Sequence, residues 1–202
     1  PSVTSIIRCA AAPGLDRWKQ QQVLHAALTL PRLPDEPESD FLARIMSDSQ
    51  EQAKKAAERG TAVHKAIQSA YEKKNFQPDY APHVDGAVEA VSIWSKPDGW
   101  IAEKPFAHPL GFGGKTDLHA APVYLTTNNG YVLDFKTKEF GPDTKLDTWP
   151  EHSMQLSAYR EGLGMPTARC AIAYVSVTVP GLAKVIELDA DDLKYGWIQF
   201  TA

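Results

Sequence analysis

The sequence predicts a single α/β (α+β) domain over residues 1–202: a mainly helical N-terminal part (1–95), then a β-β-β-α-β-β-α run (96–202) that forms one mixed central sheet flanked by helices. Three observations predict it. Up to residue 95 apolar side chains recur at helical i,i+3 and i,i+4 spacings. From Trp100 the period changes to two. Turn chemistry separates the later segments at Lys96-Pro97-Asp98-Gly99, Pro109-Leu110-Gly111, Asn128-Asn129-Gly130 and Pro180-Gly181.

Each element follows in order. After Pro13-Gly14, the pairs Leu15/Trp18, Val23/Ala27 and Leu24/Leu28 predict a helix that ends before Pro31. Residues 32–40 read as an exposed acidic, Pro-rich loop, and a short helix starts near Asp40 with Phe41/Ile45 and Leu42/Met46 one turn apart. Asp48 and Glu51 form a reciprocal cap for the next helix, whose apolar or small stripe is Ala53, Ala56, Ala57, Gly60, Val63, Ile67, Ala70 and Tyr71. His64 sits on that stripe and is expected to face the interior. The opposite face carries Lys54, Lys55, Arg59, Lys65, Lys73 and Lys74 against Glu51, Glu58 and Glu72, which suits either a solvated face or one that meets phosphates. Val84, Ala87, Val88, Val91 and Trp94 mark a further helix. Residues 100–108, 114–125 and 131–136 read as three antiparallel strands. A polar loop (141–150), a helix (151–163), strands at 168–179 and 183–188, and a final helix capped by Asp189 with Asp192 complete the chain.

With 202 residues the chain is long enough to bury roughly 70% of its unfolded surface without disulfides. At 43% hydrophobic and 23% charged residues it is globular in composition. Its 21 Lys+Arg against 25 Asp+Glu, a net charge of −4, exclude a protein that coats phosphate backbones by bulk charge. No run of about 18 apolar residues predicts a membrane span, and the opening Pro1-Ser2-Val3-Thr4 has neither part of a secretory signal, so a cytoplasmic setting is expected. Cys9 and Cys170 are too few for a four-thiolate zinc or iron–sulfur site, and both read as free thiols in the core.

The chemistry gathers on the strands. Asp134 and Lys136 lie two residues apart and so emerge on one face, while Phe135 enters the other. An adjacent antiparallel strand brings Asp117 beside Asp134. Two carboxylates this close raise each other's pKa unless a cation intervenes, and a hard divalent ion with oxygen ligands is the natural one. Beside it, Lys136 is placed to orient an attacking water or to neutralise charge on a phosphate. Spacing alone also fits an exposed cross-strand ion pair. The apolar flanks Tyr131, Val132, Leu133 and Phe135 instead suggest a buried central strand, where charges are paired or bind metal. His64 taken alone reads as a satisfied core histidine rather than a ligand, and its value comes from coincidence with the other three.

Taken as an ordered set, Arg59-Gly60-Thr61-Ala62-Val63-His64, Gly114-Lys115-Thr116-Asp117, Asp134-Phe135-Lys136-Thr137 and Gln155-Leu156-Ser157-Ala158-Tyr159 resemble the RecB-like branch of the PD-(D/E)XK nuclease superfamily. The opening PSVTSII, then LDRWKQQ, and the overall layout are similar to its group of mitochondrial genome maintenance exonucleases and related bacterial and phage exonucleases. The resemblance implies a PD-(D/E)XK restriction-endonuclease-like core with an N-terminal helical extension. It implies that His64, Asp117, Asp134 and the carbonyl of Phe135 bind one or two magnesium or manganese ions, with Glu103 a further ligand unless it merely pairs with Lys104. It implies that Lys136 is the catalytic lysine, and that Gln155 and Tyr159 brace it or touch the DNA backbone. The missing cysteine quartet sets the chain apart from the iron–sulfur members. The implied activity is phosphodiester hydrolysis at free ends of single-stranded DNA in recombination, repair or replication. The helices from Asp40 to Tyr71 would arch over the site, with a passage lined partly by Lys54, Lys55 and Arg59; Trp18 and Trp149 read as core or loop-packing residues before they read as stacking platforms for bases. A flap or junction endonuclease and a non-catalytic nucleic-acid-binding module are the alternatives.

Overall fold

The computed structural model describes residues 1–10, 13–122 and 129–202. They fall into two compact units, one formed by Pro1–Ala10 with Val63–Ala202 and the other by Ala11–Ala62. The boundary lies inside a helix, between Ala62 and Val63.

The smaller unit holds helix α2 (Pro13–Thr29) and the first part of α3 (Glu38–Tyr71), with helix α1 (Val3–Ile7) belonging to the larger one. The sequence predicts two helices where α3 runs unbroken. Asp48 and Glu51 lie within it, and no proline or glycine occurs between Ser39 and Arg59 to stop it. Ser49 donates its hydroxyl back to the Met46 carbonyl at 2.8 Å, a contact made inside a helix and not at its start. The acidic loop before α3 is latched: Arg44 meets Glu36 at 2.6 Å and also donates to the Pro31 carbonyl at 2.8 Å. Of the expected small-residue stripe, Ala56 and Ala57 are exposed, while Gly60, Val63 and Ile67 are buried.

The larger unit is built on a five-stranded mixed sheet in the order β1-β2-β3-β4-β5, comprising β1 (Ile101–His108), β2 (Phe112–Ala120), β3 (Tyr131–Lys138), β4 (Arg169–Ser176) and β5 (Ala183–Leu188). Neighbours are antiparallel except β3 and β4, which run parallel and are joined through helix α5 (Pro150–Gly162). On one face Val132, Cys170, Ile172 and Tyr174 pack with Leu156 and Tyr159 of α5 and with Leu193 and Phe200 of the last helix, α6 (Ala190–Thr201). On the other, Leu118, Leu133, Phe135, Ala171 and Val175 pack with Val63 and Ile67 of α3 and Val84, Ala87 and Val91 of α4 (Ala81–Trp94). Covered on both faces, β4 is buried at every position after Arg169, as expected of a strand in a parallel pairing.

Several boundaries differ from the sequence reading for local reasons. β4 stops at Ser176 because that hydroxyl donates to the Phe140 carbonyl (2.7 Å) and accepts from the Val179 N–H (3.0 Å), turning the chain early. β2 stops at Ala120, and residues 123–125 of the expected strand and Asn128 of the expected turn lie outside the described residues. The Asp189 cap is present, accepting from the Asp192 N–H at 2.7 Å. Cys170 is buried and its thiol is pushed up to about 12 by that burial, but Cys9 is exposed, which corrects its expected place in the core. Among the described residues no helix is long and apolar enough to cross a membrane.

Candidate active site

The site forms where two strands part. Antiparallel pairing of β2 with β3 runs from Ala120↔Tyr131 to Leu118↔Leu133 and goes no further. In a continued ladder the Phe135 N–H would bond a β2 carbonyl. It donates instead to Asp117 Oδ2, at 2.8 Å. The side chain of Asp117 thus takes the place of a backbone acceptor, and the Phe135 carbonyl, on the same edge of β3 as its N–H, faces the same gap. His64 of α3 reaches this point, its Nδ1 3.7 Å from Asp117 Oδ2 and its ring edge-on to that of Phe135. Burial lowers the pKa of this imidazole, Asp134 opposes the shift and Lys136 adds to it.

Asp134 points to the α5 face, as strand alternation predicts, and is 3% exposed. Its Oδ2 lies 2.7 Å from Lys136 Nζ and its Oδ1 accepts from Gln155 Nε2 at 2.8 Å. Lys136 also donates to Gln155 Oε1 at 2.9 Å, which fixes the amide's orientation, and Gln155 Nε2 meets the Tyr159 hydroxyl at 2.8 Å. Gln155 and Tyr159 are one turn apart on α5, so their spacing alone puts both on the face that meets β3. Behind them Gly114 leaves room for Tyr159, because a Cβ there would come within 3.1 Å of the phenol ring and 2.8 Å of Phe106.

The electrostatics follow from this packing. Asp117 is pushed well above the ordinary carboxylate range, first by burial and then by the neighbouring Asp134 charge, against the Phe135 N–H and Lys136. Burial works against the Lys136 ammonium, yet Asp134, Asp117 and Glu151 more than offset it and its pKa is raised. His64, Asp117, Asp134, Lys136, Gln155 and Tyr159 are therefore brought together. Among the described residues, however, no three His, Cys, Asp or Glu side chains are drawn close enough to hold a metal as they stand. The physical reason is that Asp134 is tied to Lys136 and Gln155, and Asp117 to the Phe135 N–H.

Glu103 lies on the neighbouring strand β1. Its carboxylate pairs with Lys115 on β2 rather than with Lys104, and its backbone is in the left-handed region (φ 56°), which interrupts the β1–β2 ladder opposite Asp117. In the smaller unit Lys55 is paired with Glu51 at 2.7 Å and Lys54 lies 3.9 Å from Glu58, all exposed, as is Arg59. Trp18 and Trp149 are both half-buried. The sequence reading missed His152, whose Nδ1 accepts from the Trp149 N–H (3.1 Å) beneath the site, and Glu151. The signal for Glu151 is its spacing four residues before Gln155 and eight before Tyr159.

No protein-family description and no curated protein matches the chain. Among solved structures, the crystal structure of SSO0001 is similar with a TM-score of 0.35 and 12% identity, covering 92% of this chain and 84% of that one. A likeness so slight says nothing about activity.

Proposed function

We propose that this chain is a magnesium- or manganese-dependent deoxyribonuclease of the PD-(D/E)XK, RecB-like kind, hydrolysing phosphodiester bonds from free ends of single-stranded DNA. The observation that carries the reading is the Asp134–Lys136–Gln155 network beside Asp117, at the point where β2 and β3 part. The donors fit a hard divalent ion chemically: two desolvated carboxylates, one of them, Asp117, pushed up by burial and then by the other, and an imidazole whose pKa burial lowers. Asp117, Asp134, His64 and the Phe135 carbonyl would hold it. Such an ion supplies charge neutralisation at a phosphoryl oxygen and a lowered pKa for water.

The chain's own residues do the rest. Lys136 keeps its proton and presents an ammonium to an anionic phosphate or to the attacking water. Gln155 accepts one of the ammonium's hydrogens and so fixes its direction, and Tyr159 fixes the amide. Lys54, Lys55 and Arg59 are proposed to contact the strand's backbone.

Asp134→Ala and Lys136→Ala are each expected to abolish magnesium- or manganese-dependent release of short products from labelled linear single strands, with far-ultraviolet circular dichroism unchanged. Cutting at the wild-type rate by either variant would show the assignment to be wrong. A closed circular single strand is expected to resist the wild-type enzyme under conditions that degrade its linear form. Equal rates on the two would remove the requirement for a free end.

A further inference from the structure

Helix α5 carries Glu151, Gln155 and Tyr159 four residues apart and so on one face, and Gln155 of that face meets Asp134 and Lys136 of β3. Two of them belong to the network above, and the first has no role in it. Because α5 leads back from the end of β3 toward the start of the parallel β4, its first turn lies beside the Lys136 end of β3, and its later turns beside Asp134 and beyond. The charge of Glu151 is felt by Lys136 and by Tyr174. Its Oε2 is buried and, among the described residues, accepts no hydrogen bond. An acidic residue in a first helical turn is ordinarily explained by the helix dipole, but that explanation leaves the carboxylate in water. A buried oxygen with no donor is costly and calls for a partner that arrives at another stage.

Lys136 is that partner. It is bound to Asp134, and Asp134 is also a residue that a divalent ion would need. Taking Asp134 away would strand the ammonium, and a partly buried cation without a counter-charge is strongly disfavoured. We propose that Glu151 is a positioning residue, the reserve counter-ion that receives the Lys136 ammonium when Asp134 turns to a cation. This extends the reading above, since it supplies the move that a metal-ready arrangement requires.

The test is a pair of substitutions read in the metal-free protein, so that it does not depend on nuclease activity. Asp134→Asn imitates release of Lys136. Glu151→Gln is expected to move the melting temperature by no more than about 2 °C in the wild-type background but to lower it by about 5 °C or more in the Asp134→Asn background. If the doubly substituted chain does not fold, adding Lys136→Met is expected to restore it, because the stranded ammonium is the cause. Equal shifts in both backgrounds, or no rescue by Lys136→Met, would overturn the proposal and leave Glu151 as a helix-end charge. In a titration with manganese alone, Glu151→Gln is expected to weaken binding about tenfold, and to weaken it no further once Lys136 is methionine. The same loss in the Lys136→Met background would also overturn it. A wild-type chain that binds no manganese would defeat the nuclease reading, while the metal-free result would still decide the role of Glu151.

Discussion

At the scale of single residues, the site is a set of charges kept in one polarity by neighbours that do not react. His152 is one such neighbour. It is 9% exposed, and its Nδ1 accepts the Trp149 N–H and lies 3.4 Å from the Tyr174 hydroxyl. Burial first, and the Lys136 charge second, push its pKa down to about 4 from 6.5. The folded-state pKa lies below the unfolded one, so the unfolded chain takes up the proton first. The stability this neutral imidazole contributes is complete above about pH 6.5 and is lost as the pH falls toward 4. The loss amounts to about 3 kcal/mol. Melting curves between pH 7 and pH 4.5 are expected to show it, and His152→Asn, which keeps an acceptor but cannot be protonated, is expected to flatten the dependence. A wild-type curve flat across that range would sink the idea. Asp134, Lys136 and Phe135 were legible in the sequence because strand alternation alone assigns their faces. The Asp117 contact with a backbone N–H was not, because nothing local to either strand says that the ladder ends at Leu118↔Leu133.

At the scale of elements, close approach decides more than propensity does. Gly196 lies in the middle of α6, where helix propensity alone says that alanine would stabilise by about 1 kcal/mol. A Cβ at that position would sit 2.4 Å from the carbonyl carbon and oxygen of Ser153, because α6 rests directly on the backbone of α5. Gly196→Ala is therefore expected to cost about 1–3 kcal/mol by chemical denaturation. A gain in stability would mean that the two helices do not touch there. The helix that carries Gln155 and Tyr159 is thus held in place by a residue far from the chemistry. Periodicity and turn residues revealed most elements, but α3 shows where local signals mislead. Asp48 and Glu51 have the spacing of a cap, and only a break in the chain before Asp48 would have made them one.

At the scale of the whole molecule, the net charge of −4 means that the single-strand binding we propose would have to rest on a local basic face and on cations, not on the overall field. Lys54, Lys55 and Arg59 are exposed, and two of them face carboxylates within 4 Å that DNA phosphates would have to displace. Replacing all three by alanine is expected to make the plot of log affinity against log salt for a single strand shallower by about 2, and an unchanged slope would remove this face from the interface. The sequence by itself determined the α/β class, the order of nearly every element, the shared face of Asp134 and Lys136, and the shared face of Gln155 and Tyr159, because these depend on periods of 2 and 3.6 residues and on turn chemistry. Only the tertiary structure decided that β3 pairs in parallel with β4, that β2 and β3 part beside Asp117, that Glu103 pairs with Lys115, and that a buried oxygen of Glu151 has no hydrogen-bond donor among the described residues. Each of these depends on which segments meet across tens of residues, and such meetings are fixed by the packing of two helical layers on one sheet.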